Sequence, residues 1–104
     1  MLTATTDTLP DRQITQTLGI ARGNVIRAKH IGTDIIASFR NLVGGEVLEY
    51  TKLMAEAREQ AYDRMIEDGR RMNADAIVGV RFTTSMVTQG AAEILCFGTA
   101  VKLG

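Results

Sequence analysis

A chain of 104 residues with twelve basic and twelve acidic side chains restricts fold and function before any motif is considered. The length predicts one domain, residues 1–104, with a core so modest that partner subunits are expected to complete it. Because the charges cancel, the chain has no general field for nucleic acid or an anionic membrane, and we expect neither as a partner. No apolar run approaches the ~20 residues of a membrane-spanning helix.

The start of the chain and its cysteine content bear on the compartment. The run "MLTATTDTLPDRQ" lacks the basic and apolar regions of a signal peptide. The single cysteine, Cys96, cannot form an intrachain disulfide. Both observations favour a reducing, cytoplasmic location.

The first third of the chain predicts strands. Residues 2–6 are rich in β-branched side chains and predict a short strand, and residues 7–12 predict a turn. Residues 14–29 alternate with period two and predict one long strand. We expect a bulge or bend at Gly23, where the alternation is interrupted. A hairpin at "ARGN" is the alternative.

Two helical patterns follow, and the glycine pair Gly44 and Gly45 separates them. Residues 33–43 carry apolar side chains at i, i+1, i+4, i+7 and i+8, which predicts a short helix that Gly44 ends. Residues 46–72 contain no proline and predict a long helix that ends at Asn73 in a left-handed conformation. Its apolar stripe consists of Tyr50, Met54, Ala57, Ala61, Met65 and Met72.

The last third of the chain returns to period two. Residues 74–87 predict a strand, and residues 88–90 predict a short hairpin loop. The core face of that strand is expected to consist of Ala76, Val78, Val80, Phe82 and Met86. Residues 91–103 predict a last strand that is apolar on both sides, and therefore central and covered twice. Its small residues, Gly98 and Ala100, permit a helix or another subunit to approach closely.

The predicted order of elements is β-β-α-α-β-β, with one short and one long helix. An amphipathic helix buries its apolar stripe by packing on a sheet face. We therefore expect an α+β fold, a two-layer sandwich in which the long helix covers one face of a mainly antiparallel sheet.

Several motifs, in order along the chain, resemble those of the YbjQ-like family. They are Val43-Gly44-Gly45, Tyr50, Ala57-Arg58, Ala74-Asp75-Ala76, Gly79 and Gly98-Thr99-Ala100-Val101. The resemblance covers about residues 3–103, with Asn73 where the family usually has glycine. It implies a dodecin-like subunit in a ring-shaped homo-oligomer, a pentamer, and the family's label suggests that a divalent or heavy-metal ion is bound.

Metal ligands are scarce in the sequence. A tight zinc or copper site needs three or four converging nitrogen, sulfur or oxygen ligands. The chain offers one histidine, His30, and one cysteine, Cys96, without a CxxC or HxxxH spacing. The alternative for Cys96 is a small buried hydrophobe, and for His30 a polar surface or interface residue. In a ring, several copies of either residue could converge at the axis.

The glycine pair has two interpretations. A helix that begins after Gly45 would present free N–H groups to a phosphate. However, the sequence lacks the GxxxxGK[ST] and GxGxxG patterns, and Glu46 and Glu49 place negative charge at that helix terminus. We therefore favour a joint between two helices over an anion site at Gly44 and Gly45.

No nucleophile and base are placed together in the sequence, so we expect no enzyme. Tyr50 and Arg58 lie eight residues apart, about two helical turns, and would share one side of the long helix. They are candidates for a subunit interface or for an acidic ligand, and Asp75 of the "ADA" motif is a further candidate.

The sequence thus predicts an uncharacterised type of homo-oligomer, with heavy-metal binding implied by resemblance alone. The alternative is a small-ligand or anion-binding ring with pockets between subunits, to which Gly44, Gly45, Tyr50 and Arg58 would contribute.

Overall fold

The computed structural model describes residues 1–28, 45–88 and 91–104. Its elements are β1 (Leu2–Thr3), β2 (Ile14–Ala28), α1 (Gly45–Arg71), β3 (Ala76–Thr88) and β4 (Ala91–Leu103). The α+β class is confirmed. The order across the described residues is β-β-α-β-β, which differs from the predicted order because the short helix at 33–43 lies outside them, as do His30 and Gly44.

The described strands form one mixed sheet in the order β1-β3-β4-β2. The two-residue strand β1 runs parallel to β3, whereas β4 is antiparallel to both of its neighbours. The sheet is therefore mainly antiparallel, and β4 holds the central position that its apolar sides predicted.

Helix α1 covers one face of this sheet with a stripe of small and flexible side chains. Ala57, Ala61 and Met65 are fully buried against strand residues that include Val25 and Ile94. The helix ends at Arg71, and Asn73 has the predicted left-handed conformation, with φ of 63°. Among the described residues no helix is both long and apolar enough to cross a membrane.

The predicted bulge or bend at Gly23 in β2 is wrong. The strand is continuous, so the alternative hairpin is excluded too, and its register shifts lie between Ile14 and Gln16 and between Thr17 and Gly19. Gly23 instead pairs regularly with Cys96, and a Cβ at this position would collide with the α1 backbone at Ala61 and Met65. The glycine is there because the helix approaches the strand closely.

The predicted core face of β3 is wrong in its distal half. The register with β4 shifts between Val78 and Arg81, and Gly79 within this shift has a φ of 62° that favours glycine. The bulge moves Val80 onto the helix-covered face, together with Ile77. Ala76 and Val78 belong to a second cluster with Val101 on the other face. In the distal half of β3, which the helix does not cover, Phe82 and Met86 are 47% and 53% exposed.

Candidate functional site

Cys96 lies at the centre of β4 on the face that α1 covers. Its side chain has no solvent exposure, and its thiol donates a hydrogen bond to the Met65 Sδ atom at 3.5 Å. Met65 is also fully buried. Two sulfur atoms from elements distant in the sequence therefore meet in the middle of the core.

Burial controls the chemistry of this thiol. Desolvation raises the pKa of Cys96 to about 11, since the core offers little to stabilise a negative charge. The thiolate is the form that attacks electrophiles and coordinates metals. Cys96 thus stays a protonated thiol at neutral pH, which is the chemistry of a structural cysteine.

The donor set around Cys96 does not fit a heavy-metal ion. In the part of the chain that the structure describes, no three His, Cys, Asp or Glu side chains are close enough to share a metal ion. Among the described residues, the thiol contacts the thioether of Met65, and the other fully buried members of this core cluster are apolar. A closed soft-metal site would require further donors. His30, the other predicted ligand, lies outside the described residues.

Asp75 fastens the loop after α1 to the end of β4. Its carboxylate accepts the Leu103 backbone N–H at 2.8 Å and the Lys102 Nζ at 3.4 Å. The Leu103 hydrogen bond is the main cause that lowers the pKa of Asp75, and Lys102 adds to it. Lys102 also donates to the Asn73 carbonyl at 3.0 Å. This clasp gives the carboxylate a structural role within the subunit.

The remaining candidates lie along α1. Gly45 is its first residue, one position earlier than predicted, and the joint with Gly44 is not within the described residues. Tyr50 belongs to the first turns of the helix, but its side chain is not described. Arg58 is exposed, and among the described residues no hydrogen bond or ion pair engages its guanidinium. Whether Tyr50 and Arg58 act together therefore stays a prediction.

Side chains of α1 cap the outer edge of β2, which the sequence did not indicate. Asp68 accepts the Arg22 backbone N–H at 3.0 Å, and Arg64 donates to the Asn24 carbonyl at 2.6 Å. Farther along the strand, Arg27 donates to Gln60. Peptide groups that could pair with another strand are thus occupied by the chain's own helix. No sequence motif singles out Asp68 or Arg64, so only their three-dimensional placement reveals this function.

The outer edge of β3 is different. Backbone hydrogen bonds tie Gly79 to Thr6 and Val80 to Ala4. Beyond Val80, none of the described residues forms a strand on that side of β3. This open part, residues 81–88, carries Phe82, Met86 and Val87, which are 47%, 53% and 50% exposed. We call it the β3 edge.

Comparison with known proteins places the whole chain in one family. Residues 1–104 match a family model described as "Putative heavy-metal-binding". A UPF0145 protein of Methanosarcina acetivorans is 59% identical over 103 residues, which span 99% of this chain and 97% of that protein. A UPF0145 protein of Vibrio campbellii is 52% identical and covers 99% of both chains.

A solved structure has a similar fold. It is the crystal structure of a protein of unknown function from Pediococcus pentosaceus, assigned to the DUF74 family. The TM-score is 0.68 at 11% sequence identity, and the match covers 100% of this chain and 98% of the other. At this level of identity the similarity concerns the fold alone.

Proposed function

We propose, from the premise that this chain belongs to the YbjQ family, that it works as a non-enzymatic homo-oligomer of five subunits closed into a ring. The proposal includes a dodecin-like subunit, a cytoplasmic location, and another copy of the chain as the partner in place of nucleic acid or membrane. The family match supports the first premise. The β3 edge is the structural feature that supports assembly with further copies.

An open strand edge with apolar side chains is a template for another strand. The β3 edge combines peptide groups that no other described strand pairs with the exposed side chains of Phe82, Met86 and Val87. A monomer that left this edge in water would be prone to uncontrolled association. Pairing with a second copy would satisfy the peptide groups and bury these side chains together.

The capped β2 edge restricts how copies can meet. If β2 were as open as β3, copies could add sheet to sheet without limit. Asp68 and Arg64 oppose this by occupying peptide groups of β2. A contact between the β3 edge and a different surface of the next copy is heterologous, and heterologous contacts close into rings when the rotation allows it. The number five comes from the family resemblance.

Heavy-metal binding is the ligand function that the family description suggests, and we propose it for donors that subunits bring together. The alternative is an anion or small ligand bound between subunits. The exposed guanidinium of Arg58, which no described residue engages, favours that alternative because an arginine can hold a carboxylate or phosphate with two hydrogen bonds.

Native mass spectrometry of protein purified without a metal-affinity step tests these proposals together. We expect one assembly with five times the chain mass of 11.3 kDa, and additional mass where metal or ligand is retained. A monomer at micromolar concentration would overturn the oligomer. An assembly of five without metal, even after reloading with zinc or copper, would leave the anion-binding alternative.

A further inference from the structure

We infer that Cys96 is a packing residue of the core and takes no heavy-metal ion in the folded subunit. The inference deepens the proposed function, because it assigns any metal that the assembled protein binds to other donors. Heavy-metal binding is suggested for the family, and Cys96 would be the obvious first choice as its ligand in this chain. The inference is that Cys96 does not have this role.

The packing around the thiol leaves no space for an ion and its ligands. Cys96 lies between Gly23 on β2 and Phe82 on β3 in the register of the sheet. The α1 backbone comes so close to Gly23 that even a methyl group there would collide with Ala61 and Met65. Cys96 and Met65 both have 0% exposure, so an ion would have to open the contact between helix and sheet before it reached sulfur.

The spacing of the two sulfurs excludes a linear site, whereas a tetrahedral ion would hold two sulfurs roughly 3.8 Å apart. A metal held in line between them would need about 4.6 Å, twice a metal–sulfur bond of ~2.3 Å. The observed separation is 3.5 Å. A bent arrangement at that spacing would leave further positions for other ligands, and among the described residues no group of three His, Cys, Asp or Glu side chains supplies them.

Protonation argues in the same direction. Coordination requires loss of the thiol proton, which here lies in the hydrogen bond to Met65. Burial raises the pKa of the thiol to about 11, so at pH 7 the folded protein holds Cys96 as the neutral thiol. Exposed donors have no such burial penalty and would take the ion first.

The first experiment uses the assembled, metal-free protein and cadmium(II) as the probe. Thiolate coordination of cadmium gives a ligand-to-metal charge-transfer absorption that other donors do not give. We expect no such band from the native protein and its appearance after unfolding in guanidinium chloride. A thiol reagent should likewise find no accessible thiol in the native state and one per chain after unfolding. A native charge-transfer band would overturn the inference.

The second experiment compares wild type with Cys96→Val, which keeps a buried apolar side chain of similar size, and with Cys96→Ser. We expect Cys96→Val to keep the assembly and any cadmium or zinc uptake, and Cys96→Ser to lower the melting temperature. Loss of uptake in a folded Cys96→Val protein would overturn the inference. If that variant does not fold, the cadmium spectrum of the wild type decides.

The outcomes separate this inference from the proposed function. A monomer whose thiol gives no cadmium band and does not react with the thiol reagent contradicts the ring but supports a packing role for Cys96. A ring that loses its metal in Cys96→Val contradicts the packing role and leaves the ring intact. A ring that takes up no metal in either form agrees with the inference and contradicts heavy-metal binding.

Discussion

At the scale of single residues, Gly23 determines how closely α1 approaches the sheet. The position has no space for a Cβ because the backbone of the helix lies against it at Ala61 and Met65. Cys96, its partner on β4, is sealed by the same close contact. One missing side chain therefore fixes both the distance between the two layers and the isolation of the thiol.

We predict that Gly23→Ala destabilises the fold. The added methyl group must push helix and strand apart, and overpacking of this kind costs about 1–3 kcal/mol. Urea unfolding followed by circular dichroism measures the loss. Thr17→Ala, at an exposed position of the same strand, serves as the control and should change stability by less than about 0.5 kcal/mol. Equal stability of Gly23→Ala and wild type would show that the layers can separate without cost.

We predict that Asp75 makes the fold sensitive to acid. The Leu103 N–H lowers the pKa of Asp75 in the folded state below its ordinary value of 3.8. A depressed carboxyl pKa stabilises the fold above the unfolded pKa, and this contribution disappears as the pH falls through the folded value. The stability difference between wild type and Asp75→Asn should therefore be constant near neutrality and shrink below about pH 4.

Thermal unfolding from pH 7 down to pH 2 tests this dependence. Asp63→Asn is the matched control, because Asp63 is an exposed carboxylate of α1 that forms no ion pair with any other described residue. A difference between wild type and Asp75→Asn that stays the same at every pH would mean that the asparagine fails for a reason other than charge.

At the scale of elements, periodicity predicted where helices and strands begin and end better than it predicted which strand faces are buried. The long strand at 14–29, the helix at 46–72 and the last strand at 91–103 are found within one or two residues of those bounds. Alternation and helical spacing record which side chains are buried, and burial is what shapes these elements. The left-handed residue Asn73 was predicted for a different reason, because asparagine tolerates the backbone conformation that ends a helix.

The buried face of a strand was harder to predict. A bulge moves the residues after it to the opposite face, and the alternation of apolar residues before the bulge gives no sign of this. Gly23 and Gly79 are both glycines within a strand, yet one admits a helix and the other lies in a bulge. A glycine within a strand indicates either close approach of another element or a β-bulge. The choice depends on what packs against it, so Phe82 and Met86 were wrongly assigned to the core.

In the candidate site, too, burial could be predicted from the local sequence, whereas contacts between different elements could not. That Cys96 is a small buried hydrophobe was one of two interpretations open from its apolar neighbours, and the structure shows its side chain fully buried. Its contact with Met65, 31 positions away, could not be derived from spacing, because it depends on the register of β4 under α1. The clasp at Asp75 and the cap at Asp68 likewise join residues from different elements.

The cap of the β2 edge leads to a prediction for the helix. Asp68 accepts a backbone N–H and its side chain is only 25% exposed. Asp68→Ala leaves that peptide group without its partner, at a cost of about 1–2 kcal/mol, since hydrogen bonds to charged groups are among the stronger ones. Glu67→Ala removes a neighbouring carboxylate that is 59% exposed and, among the described residues, pairs with Arg70 alone. It should cost less than about 0.5 kcal/mol.

Urea unfolding of both variants provides the comparison, and light scattering at rising concentration provides a second readout. An uncapped β2 edge should also promote growth beyond the closed assembly. If Asp68→Ala and Glu67→Ala unfold at the same urea concentration and scatter alike, the cap has no function in stability or in limiting assembly.

At the scale of the whole molecule, the two edges of the sheet differ. The helix lies along β2 and reaches its edge with side chains, while it leaves the distal half of β3 uncovered. Among the described residues, the subunit therefore has one sheet edge that its own helix caps and one that a second copy would cover in the proposed assembly. Such polarity agrees with the proposed ring, in which the β3 edge of each copy would meet a different surface of the next copy.

This polarity leads to a prediction about assembly. The double variant Phe82→Lys and Met86→Lys places two charges on the β3 edge, at side chains that are already about half exposed in the single subunit. Burial of these charges at a subunit contact is costly, whereas a single subunit tolerates them. We expect native mass spectrometry to find a monomer with the secondary structure of the wild type by circular dichroism.

The matched control is the double variant Ile20→Lys and Ile26→Lys on β2, at residues that are 63% and 55% exposed. It adds the same charge to the strand whose edge α1 caps, and it should retain the mass of the wild-type assembly. The wild-type melting temperature should rise with protein concentration, since assembly stabilises the folded state by mass action, and that of the β3 variant should not. If the β2 variant dissociates while the β3 variant stays assembled, the contact between copies lies on the other side of the sheet.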